Sequence, residues 1–232
     1  MRLVPLLLLM VMLSSPATAH WPVGVKRACP LGGPDVVRVL AHSCAIIGKY
    51  QMSLRRADAC DERAVLPLCE REDFPVYRDF SADEVAKLPA IVESASYQEA
   101  REKPVYLRAY LIEKALGAGS TESRFRLVQE GYFYDAARTY GDPEFFAAFQ
   151  ESARAWLPTA GAADQKWIYA SAAFARIHLK DPRMARRNLE AAEALNTPEV
   201  PFLDWYVEKV RSCVGRARAA RCAPEYYITF DR

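Results

Sequence analysis

The chain has 232 residues, of which 51% are hydrophobic and 26% are charged. So high an apolar content excludes an intrinsically disordered chain, which buries too little apolar surface to fold. The 31 basic and 29 acidic side chains are interspersed and give a formal net charge of +2. No basic stripe is present to neutralise a run of phosphates, so we expect a folded protein that does not bind nucleic acid.

The beginning of the chain has the layout of a secretory signal peptide. Arg2 precedes an apolar run over residues 3–13, and residues 17–19 read Ala-Thr-Ala, which is the usual order of charged region, apolar region and cleavage site. We expect residues 1–19 to be removed, so that His20 becomes the new N-terminus. No apolar run reaches the roughly 18 residues that a spanning helix needs, so we expect no membrane insertion after cleavage. The mature chain is predicted to be periplasmic or secreted, and the lack of any Asn-x-Ser/Thr acceptor favours a bacterial source.

Six cysteines follow the predicted cleavage site, and an even number in an exported chain predicts structural disulfides. A metal site would need closely spaced ligand pairs such as C-x2-C or H-x3-H, and the sequence has none, so we expect neither metal nor cofactor. Cysteines that are close together along the chain are the simplest partners, which predicts two short disulfide loops and leaves two cysteines for a third pair. The predicted disulfides are Cys60 with Cys69, Cys213 with Cys222, and Cys29 with Cys44.

Residues 20–119 are predicted to form an N-terminal helical region that contains disulfides. Residues 30–56 begin with turn residues and then carry apolar side chains at helical spacing, which predicts a helix. The apolar positions are Val36, Val37, Leu40, Cys44 and Ile47. Residues 58–78 have two cysteines and two prolines without any period, so we expect a loop tied by disulfides.

Two further helices are predicted before residue 120. Ser81 and Glu84 match a capping box, which predicts a helix to about Glu102, with Pro89 bending it or splitting off its first turn. Residues 104–116 carry apolar side chains at helical spacing, and Gly117 is a typical helix stop.

From residue 120 onward helical patterns alternate with short turns at residues 141–143, 158–162, 180–182 and 196–198. This alternation predicts antiparallel helix pairs up to residue 211. The only stretch that alternates with a period of two is residues 226–230, which predicts a terminal strand.

The helix pairs have the spacing of a repeat. Tyr132, Tyr169 and Tyr206 recur every 37 residues, whereas Pro143 and Pro182 of the second helices are 39 apart. The difference of two residues falls in a turn, where an insertion costs little free energy.

One of these units resembles the tetratricopeptide repeat, in which small residues 12 apart let the two helices of a hairpin touch. The residues that carry the resemblance are Tyr169, Ala172, Ala173, Ala185, Leu189, Ala192 and Pro198. The resemblance extends, in degenerate form, over roughly residues 120–212. It implies an all-α fold in which residues 120–232 form helical hairpins stacked as a short α-solenoid with a C-terminal tail, continuous with the preceding region. The alternative is a non-repeating helical bundle.

In the resembled family the groove is lined by side chains of the first helices, which implies binding residues here. The implied positions are Phe133, Tyr140, Trp167, Phe174 and His178. Aromatic side chains in a groove are typical of binding hot spots, although the same residues could equally fill a helical core. We therefore expect a protein-interaction module of the bacterial envelope, a scaffold or adaptor without catalytic activity, with a protein or peptide partner. The oligomeric state is left open.

Two other functions are compatible with the sequence. The stretch Gly-Ser-Thr-Glu-Ser-Arg-Phe around Glu122 is similar to the Glu-Ser-x-Phe box of lytic transglycosylases, which implies a glycan-cleaving enzyme with Glu122 as the acid. The Gly-Leu-Met-Gln segment of that family is missing here, and a glutamate in the first turn of a helix is also favoured by the helix dipole. The second alternative is an inhibitor or immunity protein against a periplasmic toxin.

Overall fold

The computed structural model describes residues 23–40, 46–58 and 66–230. The predicted signal peptide, Cys44 and Cys60 lie outside these residues. The described chain is mostly helical, as the all-α prediction requires, and it also contains more short strands than the one that was predicted.

The strands replace the helix that was predicted over residues 30–56. β1 (Val23–Arg27) pairs antiparallel with β2 (Val36–Leu40), and β3 (Ile46–Gln51) pairs antiparallel with β4 (Arg56–Asp58). The predicted terminal strand is confirmed as β5 (Tyr227–Thr229), which joins β3 to complete a sheet of order β4-β3-β5. Valine and isoleucine are abundant in this region, and β-branched side chains favour strands over helices.

Three short helices occupy the stretch where one helix, bent or split near Pro89, was predicted. They are α1 (Ala82–Val85), α2 (Leu88–Val92) and α3 (Ala95–Glu99). The capping box of Ser81 and Glu84 is confirmed, with the Ser81 side chain accepting from the Glu84 amide. Ser94 begins α3 in the same way, because its hydroxyl accepts from the amide of Tyr97. Because a cap residue such as Ser94 has a non-helical backbone conformation, it ends the helix that precedes it.

The remaining helices are separated by the predicted turns, with one additional break at Asp135 between α5 and α6. They are α4 (Val105–Leu116), α5 (Thr121–Tyr134), α6 (Ala136–Thr139), α7 (Pro143–Trp156), α8 (Ala162–His178), α9 (Pro182–Glu193) and α10 (Pro201–Ser212). Asp142 and Asp181 each cap a helix whose first residue is proline, and their carboxylates accept from backbone amides of the first turn. Gly117 ends α4 in a left-handed conformation with a φ of 64°.

Helices that are neighbours in sequence pack against each other, in the order α4, α5, α7, α8 and α9, with α10 on α8 and α9. Two apolar clusters result. The first is centred on α4, α5 and α7, and the second on α8, α9 and α10. The helix pairs are thus present, while a regular solenoid and the repeat relationship stay predictions.

Two disulfides join described residues. Cys213–Cys222 is confirmed, with Cα atoms 5.6 Å apart. The predicted pairs Cys60–Cys69 and Cys29–Cys44 are wrong, because Cys29 is bonded to Cys69 at a Cα separation of 5.8 Å. The end of β1 lies beside the turn that is closed by the Leu68–Pro75 bridge, a proximity in space that spacing along the chain does not reveal.

Within residues 23–40, 46–58 and 66–230, no helix combines the length and apolar character needed to cross a bilayer.

Candidate functional site

The five predicted groove residues, hereafter called the aromatic face, form two groups of ring contacts, Phe133 with Trp167 and Phe174 with Tyr140 and His178. The Phe133 and Trp167 rings are 5.9 Å apart between centroids, and Phe174 lies 5.0 Å from Tyr140 and 4.8 Å from His178. Phe174 is fully buried in the second apolar cluster, and Phe133, Tyr140 and Trp167 pack against that cluster. The resemblance therefore selected residues that come together in space. Whether they bind a partner stays a prediction.

All members of the aromatic face except His178 belong to the second apolar cluster or pack against it. The same cluster includes side chains from residues 50–55, hereafter the tip segment, at the turn between β3 and β4. Residues 51–55 are all buried, with Met52 only 1% and Leu54 only 4% exposed. Both side chains belong to the same apolar cluster as Phe174. The sequence-based prediction missed this segment, because residues 30–56 were interpreted as a helix.

Contacts of the tip segment reach two helices of the array. The Tyr50 ring lies 4.3 Å from that of Phe202, and the Tyr206 hydroxyl donates a 2.9 Å hydrogen bond to the Met52 carbonyl, both partners being on α10. At the other end, the guanidinium carbon of Arg55 lies 5.6 Å from the centre of the Tyr134 ring on α5. The segment therefore bridges α5 and α10.

The backbone of the tip segment is paired with the C-terminal tail. The amide of Met52 donates to the Tyr226 carbonyl and the amide of Ser53 donates to the Pro224 carbonyl, each at 2.9 Å. Leu54 turns the chain with a φ of 68°, a left-handed conformation that is uncommon for a bulky residue. Buried amides that are paired in this way hold the turn against the helices.

Two polar atoms of the aromatic face have no hydrogen-bond partner among the described residues. They are Nε1 of Trp167 and Nε2 of His178, and both are buried. Burial lowers the pKa of His178, an effect opposed by its hydrogen bond with the Cys222 backbone and by the charge of Glu225. His178 is therefore held as a neutral imidazole at neutral pH.

Glu122, the residue of the enzyme hypothesis, lies at a cleft of about 470 Å³ between α4, α5 and the chain that precedes α1. Its side chain is 54% exposed and its Oε1 lies 3.5 Å from Nη2 of Arg126. Ser120 caps the same helix, so Glu122 occupies the first turn of α5. A general acid in glycan cleavage needs a desolvated carboxyl, and Glu122 lacks that environment.

The buried carboxylate of this cleft is Glu113, whose side chain is 7% exposed and accepts a hydrogen bond from Arg78. Burial and the charge of Glu113 raise the pKa of Tyr77, which donates to Glu113. Hydrogen bonds from Arg78 hold the pKa of Glu84 at about 2. The sequence analysis missed this group, because its members come from separate elements. The one local signal was an acidic residue, Glu113, within the apolar sequence of α4.

In the described residues, no group of three or more histidine, cysteine, aspartate or glutamate side chains is placed to hold a metal ion. Comparisons of the chain with protein families, with curated proteins and with solved structures found no match.

Proposed function

We propose that this protein is a non-catalytic interaction module of an exported compartment, whose helix pairs serve to hold an extended protein segment. The observation that carries the proposal is the tip segment. An irregular stretch of chain bridges α5 and α10 through ring contacts, a cation–π contact and one hydroxyl-to-carbonyl hydrogen bond. Helical arrays bind extended ligands with contacts of these kinds.

The composition of the aromatic face supports the same proposal. Aromatic rings provide a large apolar area with few rotatable bonds to order, which makes them effective in recognition. In the state described here the neighbouring tip segment is buried with them. An external partner therefore either replaces that segment or binds to an open surface elsewhere on the array.

The environment of Glu122 argues against the competing proposal of a glycan-cleaving enzyme. The Glu122 side chain is 54% exposed and lies beside Arg126, whereas a general acid for glycan cleavage needs a carboxyl that is shielded from solvent. The buried Glu113 is already engaged by Arg78 and Tyr77.

The test is affinity purification of the tagged mature protein from its native envelope, with a matched Glu122→Gln variant. We expect both proteins to recover the same partner in near-stoichiometric amounts, because Glu122 is not required for binding. In parallel, both are incubated with purified bacterial cell walls. Release of soluble glycan fragments by the wild-type protein, and its loss in Glu122→Gln, would contradict the proposal and establish the enzyme instead.

A further inference from the structure

A second concave surface lies at the opposite end of α8 from Trp167 and is hereafter called the basic cleft. It has a volume of about 640 Å³ and lies between the α8–α9 turn and the loop that the Cys213–Cys222 disulfide closes. Its apolar lining comes from Ile177, Pro182 and two alanines of that loop, Ala217 and Ala219. A cleft of this size accepts one large apolar side chain together with the adjoining backbone.

Three cations line the same cleft, namely Lys180, Arg216 and Arg218. All three are exposed. No carboxylate of the described chain lies within 4 Å of any of them, although many other basic residues of the protein are paired in that way. The nearby Asp181 is engaged by Arg176 and by the amide of Met184. The cleft is therefore apolar inside and carries uncompensated positive charge.

The backbone around the cleft is tied by a disulfide and by backbone hydrogen bonds. The disulfide ties both ends of the loop, and the amides of Arg216 and Ala219 donate 2.8 Å hydrogen bonds to Cys213 and Arg216 carbonyls. Lys180 has a φ of 60° and ends α8 with its amide bonded to the Ile177 carbonyl. Binding to a preformed surface costs less conformational entropy than binding to a mobile loop.

From these features we infer that the basic cleft binds an acidic protein segment that places one large apolar side chain inside it, flanked by carboxylates that pair with the three cations. This inference rests on the proposed interaction function and adds the chemistry of the partner. Guanidinium groups pair with carboxylates bidentately, which orients the segment as well as attracting it.

A protein segment fits this surface better than a membrane does. The apolar atoms are recessed in a concavity, whereas insertion into a bilayer needs apolar side chains that protrude. The large exposed apolar side chains of the described chain are Val37, Leu68, Tyr226 and Tyr227, and none of them lines the cleft.

The test uses the full mature protein and three fluorescent pentapeptides, Asp-Glu-X-Glu-Asp, in which X is Leu, Phe or Trp. We expect saturable binding of at least one peptide, weakened at least about tenfold in the Arg216→Glu/Arg218→Glu variant because attraction becomes repulsion. The control variant Lys87→Glu/Arg154→Glu changes the net charge equally at exposed cations outside the cleft and should bind like the wild type. Replacing X by Gly should weaken binding by a similar factor.

Binding that is absent, or that is equal in the two charge-reversal variants, would overturn the inference. Binding to vesicles of anionic phosphatidylglycerol but to no peptide would also overturn it, in favour of a membrane surface. Both substitutions are at exposed side chains, so an unchanged melting temperature confirms that the variants are folded. If envelope capture persists in Arg216→Glu/Arg218→Glu while the peptides do not bind, this inference fails and the proposed function stands.

Discussion

The helix pairs α5–α7 and α8–α9 have similar lengths, and the second helix of each begins with proline after an aspartate cap, but their interiors differ in kind. Among the fully buried residues of α8 and α9 in the second cluster, four are alanines, namely Ala170, Ala173, Ala185 and Ala192, alongside Leu189 and Phe174. Between α5 and α7 they are mostly aromatic, namely Phe125, Tyr132, Phe145, Phe149 and Trp156. Between α5 and α7, Gly131 leaves space for the rings, because a Cβ at this position would collide with the Phe145 ring.

The two helix pairs thus pack closely in different ways. Alanines on both helices allow close approach along the whole contact, whereas a single glycine lets one helix accept a ring against its backbone. An interior of small residues is sensitive to enlargement, since it has no free volume. An interior of rings is sensitive to truncation, since each ring that is lost leaves a large cavity.

The largest effect is expected from truncation in α5–α7. Phe125 is fully buried, and its ring centroid lies 5.4 Å from that of Phe149 and 5.1 Å from that of Trp156. Phe125→Ala should lower the free energy of unfolding by about 3–5 kcal/mol, measured by urea denaturation. The control Tyr227→Ala, at a ring that is 45% exposed, should cost about 1 kcal/mol or less. Equal losses would show that the rings do not support the pair.

Enlargement of α8–α9 should have the next largest effect. Ala173 and Ala185 are both 0% exposed in the second cluster. Ala173→Phe should cost roughly 1–3 kcal/mol, because the added ring has no space. Ala155→Phe, at an exposed position of α7, provides the control and should be nearly neutral. An unchanged melting temperature of Ala173→Phe would remove the main support for the repeat resemblance.

Gly131→Ala sharpens the comparison by adding one methyl group to α5. The new Cβ would lie 2.9 Å from the Cβ of Tyr106 and closer still to the Phe145 ring. Although alanine is usually better than glycine inside a helix by roughly 0.5–1 kcal/mol, we expect a net loss of about 1–2 kcal/mol from overpacking. Shortening the opposing ring in Gly131→Ala/Phe145→Leu should recover part of that loss relative to Phe145→Leu alone. A gain in stability from Gly131→Ala would disprove the role of the glycine.

Tyr132 and Tyr206, which the predicted repeat places at equivalent positions, permit a matched test of hydrogen bonding. The Tyr206 hydroxyl donates to the Met52 carbonyl, whereas the buried Tyr132 hydroxyl has no hydrogen-bond partner in the described chain. Tyr206→Phe should cost about 1 kcal/mol by removing that bond. Tyr132→Phe should be neutral or slightly stabilising in the same denaturation experiment. If the two variants behave alike, the tip segment is not held by this bond.

The smallest expected effect is a change of the free energy of unfolding with pH. Because burial lowers the pKa of His178 below its ordinary 6.5, the unfolded chain binds a proton more readily than the folded chain as the pH falls through that value. This group therefore makes stability decrease on acidification and contributes nothing above neutral pH. NMR titration should give a midpoint below 6.5. Between about pH 7 and about pH 5, the wild type should lose stability relative to His178→Phe. A stability difference between the two proteins that does not change with pH would contradict this.

The parts of the fold that sequence reasoning predicted are those with local causes. Asp142 and Asp181 before prolines, and Gly117 after α4, mark helix ends through contacts within a few residues. The β3 strand instead pairs with β5 at the other end of the chain, and the Cys29–Cys69 disulfide spans 40 residues. Such pairings depend on the tertiary structure, so a helical period in residues 36–47 was misleading.

The candidate site likewise has a part that the sequence predicts and parts that it does not. The aromatic face could be predicted because helical spacing brings side chains of one helix to one side. The tip segment could not, since nothing in residues 50–55 indicates which helices lie beneath them. The basic cleft combines the α8–α9 turn with a loop more than 30 residues later. That its cations lack a carboxylate partner within the described residues could be learned only from their neighbours in the fold.

The bond between Tyr206 and the Met52 carbonyl joins residues 154 positions apart, which has a consequence for the order of folding. We expect the helix pairs, which close over short turns, to form before contacts between distant parts of the chain, because those contacts carry a larger loop-closure cost. The tip segment is synthesised long before α10 and the tail at residues 224–226 that hold it in place. We therefore expect Met52 and Leu54 to stay uncovered until α10 and residues 224–226 are available to hold the turn.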